Sequence, residues 1–201
     1  MRLRFLASFV LMSLIGIAAT GQELRNEVSV QGTGFFTKDS TGNGINRTAT
    51  NSGGVLAGYR FRINHWFSAE GNYGWNRNSQ MYFAGGGTSR VQANVHAITA
   101  DLVVHLPVSF ARLSPYALAG GGGLIFKPTR NAGGFVPGAD TQGRGAFLYG
   151  GGVDYPLIRH ISVRAEYRGF VYKSTDFGLE SLNLHNWTHT AQPSAGLTYR
   201  F

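Results

Sequence analysis

The sequence predicts an all-β protein, an eight-stranded antiparallel up-and-down transmembrane β-barrel, on the basis of three patterns. Eight segments alternate apolar and polar side chains with the two-residue period of a β-strand. The seven connections alternate between long and short, as expected when one end of a barrel carries external loops and the other carries turns. Aromatic residues gather near both ends of the apolar face, where a bilayer meets water. An even number of strands also lets the sheet close without an unpaired edge in hydrocarbon.

The first 21 residues have the composition of a secretory signal peptide. Arg2 and Arg4 form a basic start, an apolar run extends from Phe5 to Ala19, and Ala19-Thr20-Gly21 supplies small residues for cleavage. A short membrane anchor is the alternative, but the run is shorter than the roughly 20 residues that a membrane-spanning helix needs. We therefore expect residues 1–21 to be removed and residues 22–201 to form the barrel.

Composition restricts the remaining classes of function. The chain of 201 residues has no cysteine, which excludes disulfides and thiolate metal sites. Its net charge is +8, and loss of Arg2 and Arg4 leaves 16 basic and 10 acidic residues. The basic residues are spread singly along a chain that is predicted to be exported, so we expect no nucleic-acid partner. Frequent glycine (29 residues) and few charged residues (14%) are unlike a helical soluble protein.

The predicted strands follow one another from residue 27 to the end of the chain. Their approximate ranges are 27–37, 53–63, 67–76, 91–106, 116–126, 147–155, 161–171 and 187–201. Long connections fall near 38–51, 77–90, 127–143 and 173–186, and short ones near 63–66, 107–114 and 156–160. Alternation is poor in the first half of the fourth strand, where we expect a β-bulge near Asn94-Val95.

The orientation of the two faces decides between a membrane barrel and a soluble one. The polar faces together carry five acids and five bases: Glu27, Arg60, Arg62, Glu70, Asp101, Asp154, Arg164, Glu166, Arg168 and Arg200. Opposite charges can neutralise one another inside a narrow barrel, as burial requires. We therefore predict that the polar faces point to the axis and the apolar faces to lipid. A lipocalin-like soluble barrel, with its apolar residues inside, is the alternative.

Aromatic residues support the membrane orientation because they sort into two bands. At the turn end we expect Phe61, Phe67, Tyr116, Tyr155, Tyr199 and Phe201 on the apolar face. At the loop end we expect Phe36, Trp75, Phe126, Phe147 and Trp187. Membrane barrels carry such girdles at both interfaces, whereas a soluble barrel has no reason to sort its aromatics in this way.

The last strand carries the most specific family resemblance. Its apolar face ends on Leu197, Tyr199 and Phe201, which resembles the C-terminal assembly signature of bacterial outer-membrane β-barrels. With the segments 151–155 and 161–168, it makes the chain similar to the small OmpA-like, opacity-type eight-stranded barrels. The chain continues into no peptidoglycan-binding domain, so we expect no cell-wall anchoring role.

This resemblance implies an outer-membrane protein with both mature termini in the periplasm. The implied partners are outer-membrane lipid and lipopolysaccharide, and periplasmic chaperones and the barrel-assembly machinery during biogenesis. We expect a monomer with an envelope-structural or surface-interaction role, exerted through four loops toward a ligand that the sequence does not identify. Basic loop residues such as Lys38 and Lys173 are candidates for contact with lipopolysaccharide phosphates.

The candidate site is a set of charged residues predicted to face the lumen: Arg60, Glu70, Asp101, Asp154, Arg164, Glu166 and Arg168. An eight-stranded interior is about filled by its own side chains. We therefore interpret the charges of the seventh strand as a structural ladder with Asp101, Glu70 or Arg60 as partners. A narrow pore for ions or small solutes is the alternative function.

A lipid-modifying enzyme is a second alternative, because some small outer-membrane barrels deacylate or palmitoylate lipid A. His185, Trp187 and His189 form an H-x-W-x-H pattern near the loop end of the last strand. Such an enzyme needs a nucleophile beside the histidine, and the sequence has no G-x-S-x-G motif. We therefore expect packing beside Trp187, with no catalytic residue, cofactor or metal site. His105 is interpreted as a hydrogen-bonded filler of the inner face.

Overall fold

The computed structural model describes residues 24–42, 45–84, 87–108, 112–129, 140–176 and 186–201, so the predicted signal peptide lies outside the described residues. Within these ranges the chain forms β1 (Asn26–Thr37), β2 (Ser40–Gly42), β3 (Ile45–Ala49), β4 (Ser52–Arg62), β5 (Phe67–Ala84), β6 (Gly87–His105), β7 (Ser114–Pro128), β8 (Gln142–Pro156), β9 (Ile161–Lys173) and β10 (Trp187–Arg200). No helix in these ranges is long and apolar enough to span a membrane.

Eight of these strands close into an antiparallel barrel, which confirms the predicted fold. β1 pairs with β4, each strand from β4 to β10 pairs with the next, and β10 pairs with β1. Hydrogen bonds of 3.0 and 2.8 Å between the Asn26 and Phe201 backbones join the two ends of the chain. Each strand residue has a partner at the same level on the next strand. The series of partners that starts at Arg200 on β10 and passes once around the barrel ends at Thr190 on β10, which is ten residues from Arg200. This stagger tilts the strands against the barrel axis.

The two ends of the barrel differ in their connections. At the turn end, short connections join β4 to β5, β6 to β7 and β8 to β9, and both described termini lie beside them. In the β4–β5 turn, the Oδ1 atom of Asn64 accepts hydrogen bonds of 2.8 Å from the backbone N–H groups of Trp66 and Phe67. This is an Asx turn, a conformation that asparagine favours.

At the loop end, two predicted loops are partly strand. β5 and β6 stay paired as far as Ala84 and Gly87, so the prediction of a loop over 77–90 is wrong. The predicted loop over 38–51 contains the β2–β3 hairpin, and β3 pairs with the outer part of β5. Beyond the membrane the sheet continues through backbone pairing, without the apolar alternation that marks the spanning segments. β5 and β6 are therefore about twice the 9–11 residues needed to cross a bilayer.

The outer surface of the barrel is apolar and its interior holds the charges. Val30 and Leu197 are 67% and 55% exposed on the outer face, whereas Arg164 and Arg168 are 0% exposed inside. The outer-face aromatics include Phe36, Phe61, Phe67, Phe147, Tyr155, Trp187 and Tyr199, all exposed as predicted. This arrangement confirms the predicted orientation and excludes the lipocalin-like alternative.

β7 is oriented opposite to the prediction. Tyr116 and Phe126, expected in the outer girdles, face the lumen and are 3% and 0% exposed. They belong to an apolar cluster inside the barrel: Phe35, Ala93, Val95, Ala97, Val103, Tyr116, Leu118, Leu124, Phe126, Ala146, Leu148, Phe170 and Tyr172. Both faces of β7 consist mainly of apolar residues and glycine, so its alternation does not indicate which face meets lipid. The interior is therefore partly apolar, and the prediction that Tyr116 and Phe126 face lipid is wrong.

The expected bulge near Asn94-Val95 is also wrong. The pairings of β6 with β5 and with β7 run residue by residue through this point. Alternation is poor here because Ala93, Val95 and Ala97 face the apolar cluster rather than polar groups.

Candidate functional site in the barrel interior

The seven charged residues predicted to face the lumen lie in one buried ion-pair network. They stand on the inner faces of β4, β5, β6, β8 and β9, and each is at most 7% exposed. We call this set, with Glu27 and Arg200, the charge network. It contains five carboxylates and four guanidinium groups, so its charges nearly balance within the barrel.

Arg164 is held on one side by Asp154, its direct neighbour in the β8–β9 pairing. Its Nε and Nη2 atoms donate hydrogen bonds of 2.7 and 2.9 Å to the two oxygens of Asp154. The same Nη2 also donates to Glu27 on β1, which is separated from β9 by β10. Bidentate pairing of this kind fixes the guanidinium plane as well as neutralising its charge.

Arg60 joins the two sides of the charge network. It pairs with Glu70, which lies directly opposite in the β4–β5 register. Its Nη1 and Nη2 atoms also lie 3.4 Å from Asp154 and 3.6 Å from Glu166. Three carboxylates from three strands therefore surround one guanidinium.

Arg168 occupies the part of the charge network that lies further toward the loop end. Its Nη2 donates to Glu70 at 2.7 Å, and its Nε donates to Glu166 two residues earlier on β9. Its Nη1 lies 3.6 Å from Asp101, which also accepts a 3.2 Å hydrogen bond from Asn72. Two of the partners expected for this strand, Glu70 and Asp101, are therefore in contact with Arg168.

Tyr116 is a member of the site that the sequence did not indicate. Its hydroxyl donates a 2.5 Å hydrogen bond to Glu166, and its ring lies beneath Arg60, whose Cζ is 4.3 Å from the ring centroid. The Cζ atom of Arg164 is 5.4 Å from the same centroid. Two guanidinium groups therefore lie close to one ring, and a cation over an aromatic face is attracted to it.

Glu27 and Arg200 extend the charge network to the turn end. Arg200 donates a 2.9 Å hydrogen bond to Glu27, which also accepts from Arg164. Both residues lie on predicted polar faces, but their involvement depends on the β1–β10 register, which a strand pattern alone does not give. No sequence signal could have found Tyr116, because an aromatic residue suits either face.

The arrangement is suited to holding strands together. Every guanidinium is engaged by a carboxylate, and breaking a buried pair leaves an uncompensated charge. Among the described side chains, no group of three histidine, aspartate or glutamate residues could hold a metal ion.

The described histidines form no ion pair with a carboxylate of the charge network, although His160 lies 3.0 Å from the backbone oxygen of Arg200. His189 is on the outer face and makes a 2.9 Å hydrogen bond with the hydroxyl of Tyr149, and His185 lies outside the described residues. His105 makes a 2.9 Å hydrogen bond with Ser68 near the turn end. Of the predicted assembly signal, Leu197 and Tyr199 are 55% and 47% exposed on the outer face. The Phe201 ring stacks on that of Tyr199, with centroids 6.0 Å apart.

A family model described as the outer membrane protein beta-barrel domain matches residues 7–201. The chain belongs to this outer-membrane barrel family. Membership agrees with the closed eight-stranded sheet and with its apolar outer face. The predicted resemblance to small OmpA-like barrels is therefore confirmed, and the chain is an outer-membrane β-barrel.

Solved structures of other outer-membrane barrels share this fold. OprG of Pseudomonas aeruginosa superposes with a TM-score of 0.63 at 12% identity, covering 88% of this chain and 95% of that one. Neisserial surface protein A gives 0.58 at 15% identity, covering 88% and 97%. Ail, the attachment invasion locus protein of Yersinia pestis, gives 0.51 at 18% identity, covering 88% and 99%. These identities are too low to transfer more than the fold. A sequence search of curated proteins finds no match.

Proposed function

We propose that this outer-membrane barrel has an envelope-structural or surface-interaction role, exerted by the loop end of a barrel whose interior is closed to ions. The supporting observation is the state of the lumen. The charge network fills its middle with paired side chains, and the apolar cluster occupies much of the half toward the loop end. Because the lumen is filled, the loop end of the barrel is the surface that is available to bind other molecules.

The β5–β6 extension is the largest described feature of that rim. It projects beyond the outer aromatic band, and β3 widens it by pairing with residues 80–83 of β5. Phe83, near its tip, is 41% exposed. The names of two structural neighbours, an attachment invasion protein and a surface protein, suit a role of this kind.

We extend the proposal with the features that the sequence predicts for an outer-membrane barrel. Residues 1–21 direct export, both mature termini lie in the periplasm, and the barrel acts as a monomer without a catalytic residue, cofactor or metal. Leu197, Tyr199 and Phe201 serve as the assembly signal for chaperones and the barrel-assembly machinery. Lys38 and Lys173 are close to the exposed Trp187, and we propose that they contact lipopolysaccharide phosphates.

A deletion strain tests the proposed role. Cells that lack the gene are compared for sensitivity to bile-salt detergent after complementation with the full chain or with a trimmed chain. In the trimmed chain an Asn-Gly turn replaces residues 78–93, joining Arg77 to Asn94, its partner in the β5–β6 register. Rescue by both chains indicates an envelope-structural role, and rescue by the full chain alone indicates a role of the loop end. Unchanged sensitivity in the deletion strain would contradict the proposal.

A conductance measurement tests the closed lumen against the alternative of a narrow pore. We expect no steady ion conductance from the purified barrel in planar bilayers, because the cross-section holds paired side chains. A steady conductance that Arg164→Ala or Glu166→Ala changes would favour the pore. Overexpression of the protein tests the alternative of a lipid-modifying enzyme. We expect the chemical structure of lipid A in these cells to stay unchanged, and a change in its acyl chains would favour the enzyme.

A further inference from the structure

Three arginines and a histidine line a cavity at the turn end of the barrel, which we call the arginine cavity. Its described lining consists of Leu24, Arg25, Arg62, Ile63, Asn64, His65 and Arg200. Its volume is about 510 Å³. Sites for small molecules typically measure about 300–1,000 Å³, so a compact polar group can enter it. No carboxylate is among the described lining residues, and the cavity is therefore positively charged.

Backbone pairing brings the three arginines to the same mouth of the barrel. β1 pairs with β4 on one side and with β10 on the other. The backbone N–H of Arg62 donates a 2.8 Å hydrogen bond to the carbonyl oxygen of Arg25, so these residues are opposite one another. Arg62 and Arg200 both belong to the inward-facing series of their strands. Like charges at facing positions destabilise a sheet, so this arrangement favours an anion between them.

The charge network does not supply that anion. Glu27, on the strand between Arg62 and Arg200, already accepts hydrogen bonds from Arg164 and, at 2.9 Å, from Arg200. Among the described side chains, no carboxylate forms an ion pair with Arg62, which is half-buried. A guanidinium presents five N–H donors in a planar fork that matches the oxygens of a phosphate. Arg62 is therefore the group of the arginine cavity that most needs an anionic partner.

The neighbours of the arginine cavity place it at the level of lipid headgroups. Ile63, which lines it, is exposed, as are Trp66 and Phe67 on the far side of the same turn. The ring of His65 lies beside that of Trp66, with centroids 5.0 Å apart. Tryptophan is enriched where the hydrocarbon meets the headgroups. A lipid whose acyl chains lie against Ile63 and Phe67 can therefore bring its phosphate to the cavity.

We propose that the arginine cavity binds the headgroup of an anionic phospholipid, with the phosphate held by Arg62 and its charge balanced by Arg25 and Arg200. The inference deepens the proposed contact with outer-membrane lipid and rests on that proposal. It does not depend on the role of the loop end, because the cavity is at the opposite end of the barrel. With both mature termini in the periplasm, as proposed, the lipid belongs to the periplasmic leaflet.

The charge of the arginine cavity selects among phospholipids. A zwitterionic headgroup such as phosphatidylethanolamine carries an ammonium group beside its phosphate, and no described lining residue offers that group a carboxylate. The headgroup of phosphatidylglycerol has the phosphate without the ammonium, and its hydroxyls can accept hydrogen bonds from arginine or histidine. Basic pockets at membrane surfaces bind anionic headgroups for the same reason. We therefore expect phosphatidylglycerol to bind in preference to phosphatidylethanolamine.

Native mass spectrometry of the purified barrel, released from detergent micelles, counts the lipids that remain bound. We expect retention of one phosphatidylglycerol in preference to phosphatidylethanolamine. Arg62→Gln should weaken this retention about tenfold, as expected for the loss of one charged hydrogen bond. Arg159→Gln removes an exposed arginine from the β8–β9 turn at the same end of the barrel and should leave retention unchanged. If Arg62→Gln does not fold, Arg25→Gln, which lies before β1, replaces it.

Nuclear magnetic resonance of the barrel in phosphatidylcholine nanodiscs separates a lipid from a soluble phosphate. The side-chain Nε–H signal of Arg62 should shift when phosphatidylglycerol is added, and that of Arg159 should not. Soluble glycerol 3-phosphate at the same concentration should leave both signals in place, and a shift caused by it alone would overturn the proposal in favour of a free phosphate ester. Equal retention of the two lipids would also overturn it, as would equal retention by the wild type and a folded cavity variant. Because purified protein is used, these outcomes leave the detergent-sensitivity test of the proposed function unaffected.

Discussion

Tyr116 on β7 donates a 2.5 Å hydrogen bond to Glu166 on β9, and the intervening strand β8 contributes only Gly152 between them. An added Cβ at Gly152 would lie 2.5 Å from the Tyr116 hydroxyl oxygen and 2.7 Å from the Ala165 carbonyl oxygen. The glycine is therefore what allows the ring to cross a strand and enter the charge network. Three strands are joined at this point by one aromatic side chain.

We expect Gly152→Ala to destabilise the barrel, because the tyrosine must leave Glu166 or the backbone must shift. Overpacking of this kind costs about 1–3 kcal/mol. Urea unfolding in detergent micelles, followed by tryptophan fluorescence, measures the change. Gly145→Ala on the same strand is the control, since an added Cβ there has no atom within 4 Å. Equal stability of the two variants would show that Tyr116 does not need this space.

Tyr116→Phe should remove the hydrogen bond while keeping the ring under Arg60. A buried carboxylate that loses a donor costs about 1–3 kcal/mol in the free energy of unfolding. A double-mutant cycle with Glu166→Ala isolates the pair from the rest of the charge network, because alanine has no side-chain acceptor. We expect a coupling energy of at least about 0.5 kcal/mol, and a coupling near zero would mean that the two groups do not interact in the folded protein.

Fully buried and partly exposed ion pairs of this barrel should differ strongly in their contribution to stability. Glu70→Ala leaves Arg60 and Arg168 short of a buried partner and should cost about 3–5 kcal/mol. Arg144→Ala serves as the comparison. Arg144 lies 3.3 Å from Asp176, and the two side chains are 26% and 17% exposed. Loss of this ion pair should cost about 0–1 kcal/mol in the free energy of unfolding. Similar losses for the two variants would argue that solvent reaches the charge network.

The end of the chain offers a test of assembly that is separate from folding. Phe201 stacks on Tyr199 outside the barrel and contributes no side chain to the lumen. We expect Phe201→Ala to lower the amount of folded protein in outer membranes several-fold, while refolding of purified protein into detergent stays efficient. Phe147→Ala, which removes another exposed outer aromatic, is the control. An equal loss in both assays would assign Phe201 to stability rather than to an assembly signal.

Sequence reasoning succeeded where one face of a strand is charged. Arg164, Glu166 and Arg168 could face only the lumen, because charged side chains are costly in lipid. The orientation of β9 was therefore predicted correctly. The prediction failed on β7. Alternation along a strand assigns its side chains to two faces, but it does not indicate which face is inside when neither face carries a charge. The pairing of Tyr116 with Glu166, fifty residues apart, depends on the register of three strands and is not encoded in any local pattern.

The apolar faces of the strands meet lipid, and the absence of cysteine makes this orientation accessible to single-site labelling. A nitroxide is attached at Leu102→Cys, on the outer face of β6, and separately at Arg159→Cys, in the exposed β8–β9 turn. Electron paramagnetic resonance in bilayers then compares collisions with lipid-soluble oxygen and with a water-soluble nickel chelate. We predict that the label at residue 102 favours oxygen and the label at residue 159 favours nickel. A label at residue 102 that is reached by nickel, or by neither reagent, would contradict the membrane orientation.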